Sequence, residues 1–120
     1  MTREEYADLL GELLDELPEA FFRRLNLGIV VSDEIMRHPQ SQGDELLVLG
    51  EYQNQGVMGR QIVMYWKCFN LVYGNMPRRL ARMYLQKTLR HEFRHHMEAL
   101  AGEHALERED METIQRYLSR

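Results

Sequence analysis

The segment from Pro77 to Gly102 limits the possible folds more than any other segment, because it has the features of one long helix in a chain of 120 residues. Proline suits the first turn of a helix, and glycine is common where a helix ends. Between them, apolar residues recur at helical spacing, and the segment continues through HEFRHH at residues 91–96. We predict a helix from Pro77 to about Ala101.

Two further helices and three strands are predicted around this helix. Thr2 and Glu5 have the spacing of a capping box, and an apolar face continues from there towards Pro18. A last helix is predicted from about Leu106 to Leu118. Apolar and β-branched runs predict a buried strand at 29–31 and strands at 46–52 and 61–66, with a loop at 33–44 and a short helical turn at 68–73.

The order of helices, then strands, then helices predicts an α+β fold. We expect a small mixed or antiparallel sheet packed on the long helix, with helices at both ends of the chain. A length of 120 residues predicts a single domain, 1–120.

Composition argues for a cytoplasmic protein, bacterial in style. Cys68 is the single cysteine, so no internal disulfide can form, which suits a reducing compartment. No apolar run approaches the roughly 20 residues that span a bilayer, and the acidic start MTREEYADLL is unlike a secretory signal. A net charge of −4 argues against binding to nucleic acid or to an anionic membrane.

The motif HEFRHH contains the arrangement H-E-x-x-H, which predicts a zinc site. His91 and His95 are four residues apart, so a helix places both imidazoles on one face, where they can share an ion. Zinc lowers the pKa of its bound water towards 7. Glu92, beside the pair, is then the predicted general base, which takes the proton of that water and delivers it to the leaving amine.

A catalytic zinc needs a third protein ligand and an open position for water. Acidic and histidine side chains follow the long helix within GEHALEREDMET, and Gly102 lets the chain turn back towards the ion. Spacing alone does not choose among the candidates, which are Glu103, His104, Glu107, Glu109 and Asp110.

Several segments together resemble the minimal gluzincins, small zincin-like metallopeptidases of bacteria. HEFRHH resembles their HExxHH signature, and DELPEAFFRRLNLGIVVSDE, LVLGEYQ and GRQIVMYW resemble their leading helix and strands. The resemblance implies a zinc-dependent peptidase that acts on a peptide or protein substrate, with His91 and His95 as ligands and Glu92 as base. It implies an acidic third ligand from the following helix. Asp110 matches best, although the connection is longer here than in many members, so Glu109 or Glu107 can replace it.

In that arrangement a peptide would lie extended along an exposed strand edge beside the helix. The sequence leaves open whether the strand that contains Val48 or the one that contains Val63 supplies the edge.

Three alternatives compete with this interpretation. The first is a noncatalytic metal-binding or protein-interaction module on the same scaffold. The second is a phosphate-contacting helix, since basic residues cluster in PRRLARMYLQKTLRHEFR. The third is a solvated helix face whose histidines bind no metal.

His96 points about 100° around the helix from His95, so we expect it to form hydrogen bonds rather than bind the same ion. His38 is expected to be an exposed loop histidine.

Overall fold

The computed structural model describes residues 1–38 and 46–120. The strands in these ranges are β1 (Ile29–Ser32), β2 (Gly50–Asn54) and β3 (Arg60–Tyr65). The α-helices are α1 (Arg3–Asp15), α2 (Trp66–Tyr73), α3 (Arg78–Gly102) and α4 (Arg108–Leu118), and short 3₁₀ helices lie at Glu19–Phe22 and Gly56–Met58. The α+β prediction is therefore confirmed.

The three strands form a mixed sheet in the order β1-β3-β2. β1 runs parallel to β3, whereas β2 and β3 form an antiparallel hairpin. Because β3 lies in the centre, β1 and β2 are the two edges. This arrangement settles which strand offers an edge beside the long helix: it is β2, which follows Val48, and not the strand of Val63.

One face of the sheet packs on α3 and carries the main core. Ile62 and Met64 of β3 are fully buried there with Leu85 of α3. Phe93 of α3 meets Phe21 edge to face, with ring centroids 5.8 Å apart. α3 thus presents one buried flank to the sheet and keeps the other in solvent, so the residues of HEFRHH divide between the two.

The ends of the helices agree well with the signals in the sequence. The Thr2 side chain accepts from the backbone N–H of Glu5, and the Glu5 side chain accepts from the N–H of Thr2, so the predicted capping box is confirmed. α3 starts directly after Pro77 and includes Gly102. The predicted turn at 68–73 is part of the eight-residue helix α2.

Two strand predictions are wrong in detail. The strand at 29–31 is only partly buried: Ile29 and Val31 pack against the core, whereas Val30 is 42% exposed. The strand predicted at 46–52 begins only at Gly50. Before it, Leu47 instead bridges to Arg37, and Leu47 and Val48 pack near Val63 on the second face of the sheet.

The predicted loop 33–44 is described only as far as His38, which is exposed; its residues 39–44 lie outside the described ranges. No helix in the described part of the chain is long and apolar enough to cross a membrane.

Candidate metal centre

His91 and His95 lie together on the exposed flank of α3. Their Nε2 atoms are 3.1 Å apart, and the rings meet edge to face. Two nitrogens that each lie about 2.0–2.1 Å from one tetrahedral ion are separated by about 3.3 Å. The separation of the two Nε2 atoms is therefore close to the one that ligation of a shared zinc ion requires.

Glu92 lies between this exposed pair and the sheet. Its side chain faces β2 and is buried, with only 5% of the residue exposed. Burial raises the pKa of the Glu92 carboxyl, while the neighbouring His91 and His95 and the backbone N–H of Tyr52 act in the opposite direction. A carboxyl with a raised pKa is better matched to proton transfer near neutral pH than an ordinary glutamate.

Gly50 allows the sheet to approach the helix at this point. A Cβ atom on Gly50 would lie 3.1 Å from Cγ of Glu92, 3.2 Å from Sδ of Met64 and 3.3 Å from Cγ2 of Thr88. These distances are shorter than ordinary van der Waals contacts, so a side chain at position 50 would push β2 away from Glu92.

A cleft of about 660 Å³ runs between β2 and α3. Its wall includes both histidines and the edge of β2, and its lining residues are Gly50, Glu51, Tyr52, His91, Glu92, His95, Glu98 and Ala99. The backbone oxygen of Leu49 accepts from the N–H of Tyr65 in β3. Because antiparallel strands alternate, the backbone groups of Gly50 and Tyr52 point away from β3, towards the outer edge.

His96 has the hydrogen-bonding role expected from the sequence. It is fully buried, its Nε2 is 2.7 Å from the backbone oxygen of Arg23, and its Nδ1 is 2.8 Å from the hydroxyl of Tyr52. Since a carbonyl oxygen can only accept, Nε2 donates and Nδ1 accepts from Tyr52. Burial lowers the pKa of His96, which agrees with this neutral form.

Asp110 lies in a different cluster from the two histidines. Its Oδ2 accepts from Nε of Arg23 at 3.0 Å, in a cavity that is also lined by Glu107. Within the described ranges, no three His, Cys, Asp or Glu side chains form a group that could hold a metal ion. The structure therefore brings together His91, Glu92 and His95 but does not bring Asp110 to them.

Other candidate third ligands lie around the turn between α3 and α4. Glu103 forms an ion pair with the buried Arg60. His104 has a left-handed backbone, with φ of 54°. Glu107 and Glu109 are exposed near the start of α4.

Comparison with known proteins places the chain beside a solved structure. It is similar to the conserved hypothetical protein TTHA0227 from Thermus thermophilus, with 33% sequence identity and a TM-score of 0.74. The similarity covers 85% of this chain and 99% of that one. The chain belongs to the TTHA0227 family. No model of a known protein family matches it, and neither does any curated protein.

Three residues of the site in this TTHA0227 family member were missed from the sequence. Tyr52 and Gly50 were missed because both lie on strand β2, and no local sequence pattern reveals where β2 lies relative to α3. Glu98 could have been found, because it follows His95 by three residues on the same helix face. Its Oε2 lies 3.8 Å from Nδ1 of His95, which is too long for a hydrogen bond; a small movement of the side chain would let the carboxylate orient the ring from the nitrogen opposite Nε2.

Several basic residues of the run PRRLARMYLQKTLRHEFR form contacts with other parts of this family member. Arg78 pairs with Glu12, and Arg82 with Glu16. Arg90 lies over the ring of Tyr117. These contacts tie α3 to other helices, so fewer cations are left for phosphate than the sequence suggested.

Proposed function

We propose that the protein is a zinc-dependent metallopeptidase of the minimal gluzincin type, in which α3 is the active-site helix. The observation that carries the proposal is the separation of 3.1 Å between Nε2 of His91 and Nε2 of His95, beside a buried Glu92. The pair, the base and an open strand edge meet in one cleft. That combination suits hydrolysis of a peptide bond better than a solvated helix face.

His91 and His95 would hold the metal through Nε2, with Glu98 orienting His95 from the opposite ring nitrogen. Asp110 remains the predicted third ligand. It would have to exchange its ion pair with Arg23 for the metal, which requires a movement at the start of α4.

Zinc, when bound, would supply a Lewis acid that polarises the peptide carbonyl and acidifies water. Glu92 would accept the proton of the attacking water and deliver it to the leaving amine. The buried position of Glu92 and its contact with the Tyr52 N–H hold the carboxylate against β2, so that it faces the cleft beside the histidines.

The substrate would lie as an extended peptide along the outer edge of β2. The two edges of the sheet differ in a way that favours this strand. At β1, the guanidinium of Arg3 donates to the backbone oxygen of Val31 and so covers part of that edge. At β2, the backbone groups of Gly50 and the carbonyl oxygen of Tyr52 line the cleft and can pair with a peptide backbone, whereas the N–H of Tyr52 already faces Glu92.

Metal content measured by mass spectrometry tests the proposal, on protein purified without a chelator or a histidine tag. We expect about one zinc per chain in the wild type and its loss in His91→Ala. A chain that binds no zinc at neutral pH, even after zinc is added back, would contradict the proposal.

Glu92→Gln then separates catalysis from metal binding. We expect this variant to keep its zinc and to lose hydrolysis of a peptide library, because only the proton acceptor is removed. The alternative function is a noncatalytic metal-binding or interaction module. The lack of a third donor near the histidines in the described ranges favours the interaction module, because a structural zinc needs four protein ligands. It predicts no turnover in either protein.

A further inference from the structure

We propose that a second cavity, which is lined by His91 and Glu92 but not by His95, binds a large apolar side chain of the substrate together with a carboxylate that Lys87 recognises. We name it the apolar cavity. Its volume is about 440 Å³, and the residues that line it but not the cleft are His38, Leu46, Leu47, Val48, Leu49, Lys87 and Thr88. The inference rests on the proposed function, because it assigns a substrate class to the same site.

The apolar cavity adjoins the cleft. Gly50, His91 and Glu92 line both of them, so the reacting groups stand at the border between the two. An extended peptide along β2 passes Gly50 and reaches the 46–49 segment. A side chain next to the reacting bond therefore has the apolar cavity as its nearest concave surface.

The lining determines what kind of side chain fits. Four consecutive apolar residues, 46–49, form one wall, and Leu46 is 52% exposed although it is large and apolar. A cavity of this size lies within the range of about 300–1,000 Å³ that is usual for ligand sites. Burial of an apolar side chain against this wall removes apolar surface from water and stabilises binding.

Lys87 adds a charge preference at the edge of the cavity. Arg78 and Arg82, on the same helix, each pair with an acidic side chain of α1 or its cap. Lys87 is exposed, and in the described ranges no acidic side chain pairs with it; its ammonium lies 5.4 Å from the ring centre of Tyr84. It can therefore meet a carboxylate from outside. That carboxylate is either the chain terminus or an acidic side chain.

Binding of short fluorescent peptides tests the inference without relying on turnover. All measurements use the zinc-loaded Glu92→Gln variant as background, so that the probe is not consumed. The probes are dansyl-Ala-Ala-Phe as free acid and as amide, dansyl-Ala-Ala-Ser as free acid, and dansyl-Ala-Ala-Phe-Ala-Glu-amide. The two forms of dansyl-Ala-Ala-Phe show whether a terminal carboxylate is bound. The peptide dansyl-Ala-Ala-Phe-Ala-Glu-amide, which has no free terminal carboxylate, shows whether an acidic side chain is bound instead.

We expect the phenylalanine free acid to bind about tenfold more tightly than the serine free acid, because only the former fills the cavity. Lys87→Met should weaken binding of the carboxylate probe about fivefold and leave the amide unchanged. Arg79→Met is the matched control, since it removes the same charge from an exposed position of α3 that does not line the cavity. Leu46→Asn should reduce the preference for phenylalanine, whereas Leu71→Asn, a change at another exposed leucine, should not.

Equal binding of the phenylalanine and serine probes, or equal effects of Lys87→Met and Arg79→Met, would overturn the inference. The failure of the inference and that of the proposed function can be told apart. If the wild type hydrolyses peptides without this preference, the function stands and the apolar cavity is not the substrate site. If the preference is present but no peptide is hydrolysed, the binding site stands and the peptidase proposal fails.

Discussion

The hydroxyl of Tyr52 on β2 donates a hydrogen bond of 2.8 Å to Nδ1 of His96 on α3. His96 is fully buried and donates in turn to the backbone oxygen of Arg23. One neutral imidazole therefore joins the edge strand, the long helix and the chain that precedes β1. Since Glu92 is on the same helix flank, this contact also fixes the distance between β2 and the candidate base.

Tyr52→Phe should destabilise the fold by about 1–3 kcal/mol, because it leaves Nδ1 of His96 buried without a donor. Urea denaturation followed by circular dichroism measures the change. Tyr84→Phe is the control: the Tyr84 ring stacks on Tyr73, and its hydroxyl forms no hydrogen bond in the described ranges. Equal stability of the two variants would show that the Tyr52–His96 bond contributes nothing.

Much of this fold could be predicted from local signals. The capping box at Thr2, Pro77 before α3 and the helical spacing of His91 and His95 are local patterns, and the structure has each of them. The approach of Gly50 to Glu92 depends instead on how the sheet sits on α3, which no local pattern encodes. The strand prediction at 46–49 fails because an apolar run looks the same whether it joins a ladder or covers a sheet.

Gly50→Ala should lower peptide hydrolysis at least several-fold and reduce stability by about 1 kcal/mol or more, because the new Cβ is too close to Glu92, Met64 and Thr88. Gly11→Ala in α1 is the matched control. A Cβ there meets nothing within 4 Å, and alanine in a helix is favoured over glycine by about 0.5–1 kcal/mol. Peptidase assays and thermal unfolding of both variants check the contrast. Unchanged activity in Gly50→Ala would mean that β2 can move away from Glu92 without loss of hydrolysis.

Tyr6→Phe should leave stability unchanged or increase it. Tyr6 is fully buried, and its hydroxyl has no hydrogen-bond partner in the described ranges. Phenylalanine keeps the edge-to-face contact with Phe69, at 5.5 Å between ring centroids, and removes a buried polar group whose desolvation is not compensated. Differential scanning calorimetry measures the midpoint. A clear decrease would reveal a partner for the hydroxyl.

Asp33 should make stability depend on pH on the acid side. The indole N–H of Trp66 donates to its carboxylate at 2.6 Å and Nε of Arg3 at 2.9 Å, and these contacts lower the pKa of Asp33. A carboxyl with a lower pKa in the folded chain stabilises the fold above its unfolded pKa, about 3.9. That contribution is lost as the pH falls through the folded pKa.

Asp33→Asn is therefore expected to be less stable than the wild type at about pH 7, and the difference should shrink as the pH falls below the unfolded pKa of about 3.9 and through the lower folded pKa. Denaturation by urea across this range measures it. Glu34→Gln, a change at the neighbouring exposed acid, is the control and should not show the same pH dependence. A difference that persists at low pH would mean that the contacts of Asp33 do not depend on its charge.

Asp110→Asn decides whether the start of α4 takes part in metal binding. If Asp110 exchanges Arg23 for the ion, the variant should bind zinc more than about 100-fold more weakly, because loss of a direct ligand costs more than the loss of about 10- to 100-fold caused by removal of a group that only supports a ligand. Competition with a chromophoric chelator measures the affinity. Arg23→Gln provides the opposite test, because it frees Asp110 and should leave zinc affinity unchanged or raise it. If Asp110 serves only the ion pair with Arg23, both variants lose stability alike and neither changes zinc affinity, and the third ligand must then be sought elsewhere around the cleft.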